Sequence, residues 1–154
     1  MPQIIKGGKY VFGSSKKNQQ GKIMIPKEAM KEYNFFEEQK VFLMPGSKKS
    51  GGFGITTYEK LKESKLNSLL KDNPDLAQFK LERGKIKEIK GRAYYWKRIQ
   101  NNTIKMSQNA LKIFGINPRN LLLAVRGSNL ALGFISKGSI YDEAKKHTEI
   151  PTFK

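Results

Sequence analysis

Two stretches of this chain gather the residue types that hold polyanions. KYVFGSSKKNQQGK, residues 9–22, carries Lys9, Lys16, Lys17 and Lys22 with the carboxamides Gln19 and Gln20. KGRAYYWKRIQNN, residues 90–102, carries Arg92, Lys97 and Arg98 with Gln100 and Asn101, and Lys105 follows closely. Lysine ammonium groups fix a protein on phosphates, whereas Arg, Gln and Asn can also form paired hydrogen bonds with base edges. The whole chain agrees with this local chemistry. Thirty Lys and Arg face thirteen Asp and Glu, a net charge of +17, far beyond what solubility asks of a small domain. The excess sits at the two ends: ten basic against four acidic residues in 1–57 and eleven against three in 92–154, but nine against six between them. The expected partner is a polyanion.

Other chemistries lack their residues. There is no cysteine, which excludes disulfides, thiolate metal sites and thiol nucleophiles and suggests a reducing compartment. The one histidine, His147, lies on a charged C-terminal segment with no partner motif. The glycine-rich SGGFG lacks the lysine and hydroxyl pattern of a phosphate loop and reads as a turn. Asp72 and Asp75 flank Pro74 in a linker turn, and Glu37 and Glu38 follow a short helix, so neither pair suits two-carboxylate catalysis. Arg126, in the turn RGS, is a weak anion-binding candidate. These absences predict no catalytic residues, no metal, no cofactor and no small-molecule substrate; the chain is not expected to be an enzyme. No apolar run approaches the roughly 20 residues of a membrane span, and none resembles a secretion signal, so a cytoplasmic, nucleoid-associated location without membrane contact is expected.

The cationic stretches are positioned by a repeat. Laid over itself at an offset of 81 residues, the chain matches positions 9–47 to 90–128 without a gap, with eight identities over 39 positions. Lys16 falls on Lys97, Lys17 on Arg98, Gln19 on Gln100, Ile23 on Ile104 and Ala29 on Ala110, while Ile25 meets Met106 and Tyr33 meets Phe114. In KIMIP and TIKMS the alternation of Ile23 with Ile25, and of Ile104 with Met106, predicts strands with one buried face. A short helix should follow each, started at Pro26 or Ser107 and carrying Ala29, Met30 and Tyr33 or Ala110, Leu111 and Phe114 inward. Asn34 and Gly115 share the position after it, and both tolerate the left-handed conformation that closes helices. VFLM and LLLAV then read as buried strands, PGSKKSGG and RGSN as turns, and FGIT and LALGF as return strands.

Each copy is thus strand, strand, short helix, strand, strand. The domain reading is a first module at 1–57, a helical connector at 58–89, a second module at 90–138, and a C-terminal helix and tail at 139–154. In YEKLKESKLNSLLKDNP the leucines partly share a face and Asn73-Pro74 ends the helix. Strand alternation in RAYYWKR predicts Tyr95 on the face of Lys97, with Tyr94 and Trp96 turned into the core.

The order QGKIMIPKEAMKEYNF resembles the AbrB-like (SpoVT/AbrB) family, whose hallmark is a Gly-Lys/Arg-Ile-x-Ile-Pro strand leading into a short helix and a terse turn. NNTIKMSQNALKIFGINPRNLLLAVRGS is similar to the same module, with Ser107 in place of the proline and Asn102-Thr103 in place of Gly-Lys. Two copies in one chain resemble the MraZ-type arrangement. The resemblance implies a mainly β, α+β fold in which two β-hairpin modules interleave as a pseudo-twofold swapped-hairpin barrel. It also implies a sequence-selective DNA-binding transcription regulator, or, as the alternative class, an antitoxin-like or RNA-associated interaction protein. A module of under 60 residues buries too little apolar surface alone, so each is expected to complete its core on its twin, with room for further self-association. The DNA-binding residues expected are Lys9, Lys16, Lys17, Gln19, Lys22, Arg92, Lys97, Arg98, Gln100 and Lys105.

Overall fold

The computed structural model describes residues 10–17, 21–37, 39–81, 85–116, 121–126, 128–147 and 150–153. The first copy contributes strands β1 (Tyr10–Lys16) and β2 (Lys22–Met24), helix α1 (Lys27–Glu32), and strands β3 (Lys40–Pro45) and β4 (Phe53–Thr56). Three short helices follow, α2 (Tyr58–Lys62), α3 (Asn67–Asp72) and α4 (Pro74–Ala77), then strand β5 (Lys87–Ile89). The second copy contributes β6 (Arg92–Arg98), β7 (Thr103–Lys105), α5 (Gln108–Ile113), β8 (Leu121–Arg126) and β9 (Leu132–Ile135). Helix α6 (Ser139–Ala144) and the short strand β10 (Thr152–Phe153) complete the described chain. The fold is mixed α+β, mostly strands with short helices.

The repeat positions take matching local structure because they hold matching residues. Asn34 and Gly115 have φ of 63° and 69°. Beyond each, the Phe35 amide donates to Met30 O at 2.9 Å and the Ile116 amide to Leu111 O at 2.8 Å, the closing hydrogen bonds of a left-handed helix cap. Where the second copy has serine instead of proline, Ser107 Oγ accepts from the Ala110 amide at 3.0 Å and caps α5. The connector departs from the single helix expected: leucine spacing carries three brief turns of helix, and its end forms β5, an unforeseen strand against β6.

Strands of the two copies interleave in one eight-stranded sheet, in the order β10-β1-β8-β9-β4-β3-β6-β5. The first copy's β1 pairs antiparallel with the second copy's β8, and the second copy's β6 pairs antiparallel with the first copy's β3. The return strands β4 and β9 meet antiparallel, Gly54 opposite Gly133. The remaining strands, β2 and β7, form a separate ribbon with Lys22 opposite Lys105, Ile23 opposite Ile104 and Met24 opposite Thr103. Ile23 and Ile104 are repeat equivalents, so a pseudo-twofold axis passes between them. It passes again between Gly54 and Gly133, which become equivalents because residues 127–131 replace the longer turn 46–52. The sheet is open rather than a closed barrel among the described residues: β10 ends it on one side and β5 on the other.

The main core joins both copies. Phe12, Ile23, Ile25, Met30 and Phe35 pack with Tyr95, Ile104, Met106, Leu111 and Phe114, all buried. Outside the sheet, α2–α4 cover β3 and β6 through Leu61, Leu70 and Leu76 on Phe42 and Tyr94. At the other end α6 and Ile150 cover β1, β8 and β9 through Ala144 on Val11, Leu123 and Ile135. This double coverage reverses the expected facing of β6. Tyr95 points into the main core at 1% exposure, stacked on Phe114 at 5.8 Å between ring centroids. Tyr94 and Trp96 point outward into the connector, where Trp96 meets Phe79 edge-on at 5.6 Å. A strand flanked on both faces is apolar on both, so alternation within β6 could not say which face was the core.

Candidate nucleic-acid interface

The β2–β7 ribbon presents one face to the core and one to solvent. Ile23 and Ile104 are each 1% exposed beneath it, whereas Lys22 and Lys105 lie exposed on its outer face. The ribbon is tied at both ends by equivalent hydrogen bonds, the Ile25 amide to Asn102 O at 2.7 Å and the Met106 amide to Gly21 O at 2.9 Å. Gly21 and Asn102, equivalent in the repeat, both have positive φ, 82° and 59°. At Gly21 a Cβ would lie 2.2 Å from Met106 O, so this glycine is required by close backbone approach as well as by its dihedral.

Strand β6 runs into β7 through a tight hairpin turn. The Gln100 amide donates to Thr103 O at 3.0 Å, the Thr103 amide to Gln100 O at 2.9 Å, and Thr103 Oγ1 to Gln100 O at 2.6 Å. Between them Asn101 and Asn102 have φ of 52° and 59°, the double left-handed turn that matches the twist of paired strands and that asparagine tolerates. Gln100 and Asn101 are therefore held exposed at a hairpin tip. Around this tip Lys22, Lys97, Arg98, Gln100, Asn101 and Lys105, with Trp96, Thr103 and Ser107, line a cleft of about 440 Å³. Among the described residues no acidic side chain lines it. Four cations and two carboxamides thus converge from β2, β6, β7 and one turn.

Five of the expected DNA-binding residues meet here: Lys22, Lys97, Arg98, Gln100 and Lys105. The others do not join them among the described residues. Arg92 begins β6, about 20 Å along the strand from Arg98 at roughly 3.3 Å per residue. Its Nη2 donates to Pro45 O at 3.0 Å, and it borders a different depression with Lys48 and Lys85. Lys16, exposed, ends β1 opposite Leu121, and Lys17 is half-buried. Lys9, Gln19 and Gln20 lie outside the described residues.

The sheet register also corrects the pairing of the cations. Lys16 stands opposite Leu121 and Arg98 opposite Lys40. Leu121 and Lys40 are repeat equivalents, so Lys16 corresponds to Arg98, and Lys97 corresponds to Ser15. Ser15 is fully buried, its Oγ donating to Met24 O at 2.7 Å. A longer loop in the first copy, 17–21 against 99–102, absorbs the shift that a gap-free alignment could not register.

Sequence reasoning assigned no binding role to Trp96, Thr103, Ser107 or Lys40. Trp96 sits half-buried at the edge of the cleft, its Nε1 donating to Leu81 O at 3.2 Å. Lys40, paired with Arg98 in register, has its Nζ 5.6 Å from the Trp96 ring and 5.4 Å from that of Phe79, which holds a further cation beside the cleft. The signal that could have found Trp96 and Lys40 is tertiary, since they lie on neighbouring strands of different copies.

The remaining candidates have structural partners. Arg126 pairs with Glu32, Nε donating to Oε2 at 2.7 Å, and ties the second copy to α1. His147, just beyond α6, has its Nε2 3.5 Å from Glu143 Oε1. Among the described residues there is no cluster of three or more His, Cys, Asp or Glu able to hold a metal ion, and no helix is long and apolar enough to cross a membrane. Compared with family models, curated proteins and solved structures, the chain matches none.

Proposed function

We propose that this protein binds double-stranded DNA through the β2–β7 ribbon and the hairpin tip beside it, and that it serves as a sequence-selective transcription regulator in the cytoplasm. The observation that carries the reading is the convergence of Lys22, Lys97, Arg98 and Lys105 with Gln100 and Asn101 in one cleft, on a chain of net charge +17. A two-stranded ribbon fits the major groove, and the flanking cations suit its phosphate walls. The exchange of β1 and β6 between copies, with the hallmark strands paired about the pseudo-twofold axis, supports the AbrB-like swapped-hairpin reading. The RNA-associated alternative needs exposed aromatics: Tyr95 is stacked in the core rather than offered to a base, whereas Trp96 stays half-buried at the cleft edge.

The test is a salt titration of duplex binding by fluorescence anisotropy. Neutralising four to eight phosphates gives log K against log salt a slope of about −4 to −7, each contact contributing about −0.9. Replacing Lys97 and Arg98 together by Ala is expected to flatten that slope by up to about two units while the fold persists. An unchanged slope in that double variant removes the cleft from the interface, and absence of duplex binding in low salt overturns the reading.

A further inference from the structure

The connector is more than a cover for the sheet. Its three short helices line a groove of about 680 Å³, a volume suited to a small organic ligand. The walls are apolar and partly aromatic: Tyr58 at the start of α2, Leu70 in α3, Ala77 in α4 and Phe79 just beyond it. Lys62, which ends α2, and Lys71, in the last turn of α3, join them. Both lysines are exposed, and neither is ion-paired among the described residues. Among the same residues no carboxylate lines the groove, and the one acid of α4, Asp75, pairs with Lys87 at 2.8 Å.

Phe79 connects this groove to the nucleic-acid cleft. Its φ of 56° closes α4 in the left-handed conformation, with the Lys80 amide donating to Asp75 O at 2.8 Å and the Phe79 amide to Leu76 O at 3.1 Å. Glycine takes that conformation freely, whereas a bulky residue there is strained. Packing holds the ring in place: it stacks on Phe42 at 4.9 Å between centroids and meets Trp96 edge-on. One side chain thus forms a wall of the groove and touches the only tryptophan, which itself borders the cleft.

We propose that the connector groove binds a small aromatic carboxylate, its ring against Tyr58 and Phe79 and its anionic head toward Lys62 and Lys71. The site goes beyond duplex binding and does not depend on it. Apolar walls beside two cations fit a molecule with an apolar body and one anionic end, and aromatic walls favour an aromatic body through stacked or edge-on contacts. A bare inorganic anion would leave those walls unfilled. An uncharged arene would leave both ammonium groups without an acceptor.

The test is a calorimetric titration of the full chain with phenylpropionate, with Trp96 emission followed in parallel. Saturable binding is expected with Kd of about 1 mM or tighter, the range for a ligand of about eleven heavy atoms. Phenylpropanol, the uncharged counterpart, is expected to bind about tenfold more weakly, as loss of a charge-assisted hydrogen bond implies. Lys62→Ala with Lys71→Ala is expected to weaken phenylpropionate by a similar factor or more and to leave the fold intact, since both side chains are exposed. Lys22→Ala with Lys105→Ala removes the same charge from the cleft that Trp96 also borders. No saturable binding by either measure, equal affinity for phenylpropanol, or unchanged affinity in the Lys62/Lys71 variant overturns the proposal. So does a loss that appears in the Lys22/Lys105 variant instead, which would seat the carboxylate in the cleft. Each of these failures leaves the duplex reading standing.

Discussion

Tyr95 sits fully enclosed in the main core, and its phenol oxygen has no hydrogen-bond partner among the described residues. Burial drives its pKa well above the ordinary phenol value. An unmatched buried hydroxyl costs roughly 1–3 kcal/mol, so Tyr95→Phe, which keeps the stack on Phe114, is expected to stabilise the fold by about 1 kcal/mol. The same substitution has a pH signature. Because the folded pKa is raised, the neutral phenol's contribution is complete below about pH 10, where the unfolded chain keeps its proton, and is lost as pH climbs further. Thermal melts from pH 8 to 11 should show the difference in midpoint between Tyr95→Phe and the parent widening above about pH 10. A lower midpoint for the phenylalanine variant at neutral pH would mean that the hydroxyl is satisfied. Tyr33 shows the contrasting case: it is as buried, but its hydroxyl donates to Ser128 O at 2.8 Å, and its pKa is raised to about 12 by burial and by Glu32, against the opposing pull of Arg126.

At the scale of elements, the strands β2 and β7 do two jobs. Their inward residues plug the shared core and their outward residues carry the exposed lysines, so the same three-residue strands set stability and would set duplex binding under the proposed function. Ile25 and Met106, equivalent and each 1% exposed, follow those strands and donate the hydrogen bonds that close the ribbon. Truncating either to Ala removes buried methylenes from a core contributed by both copies and is expected to cost about 2–5 kcal/mol. Denaturant titrations of the two variants should give losses of similar size. An unchanged midpoint in either would mean that its copy does not close the core. How the two strands face was readable from alternation, because only one side of the ribbon is covered. The facing of β6 was not, because the connector that makes Trp96 and Tyr94 internal comes from elsewhere in the sequence.

For the whole molecule, interleaving makes the two copies one folding unit. The strands β1 and β8, and β3 and β6, join residues far apart in sequence, so neither copy retains its sheet partners alone. Calorimetry is expected to show a single transition with equal calorimetric and van't Hoff enthalpies, as cooperative single domains do. Two resolved transitions would mean that the copies unfold independently. The sequence by itself determined the parts that depend on neighbours in the chain: the repeat, the strand-helix-strand order, the left-handed caps at Asn34 and Gly115, and the strong excess of positive charge. Each follows from local sterics, from periodicity or from counting. Only the tertiary structure decided which cations share a cleft, that Arg92 stands apart while Lys22 crosses to the second copy's side, that Lys16 aligns with Arg98, and that Tyr95 is core. Those outcomes depend on strand register between the copies and on which segment covers which face, and a loop one residue longer is enough to change a register that pairwise matching of the two copies assigns without a gap.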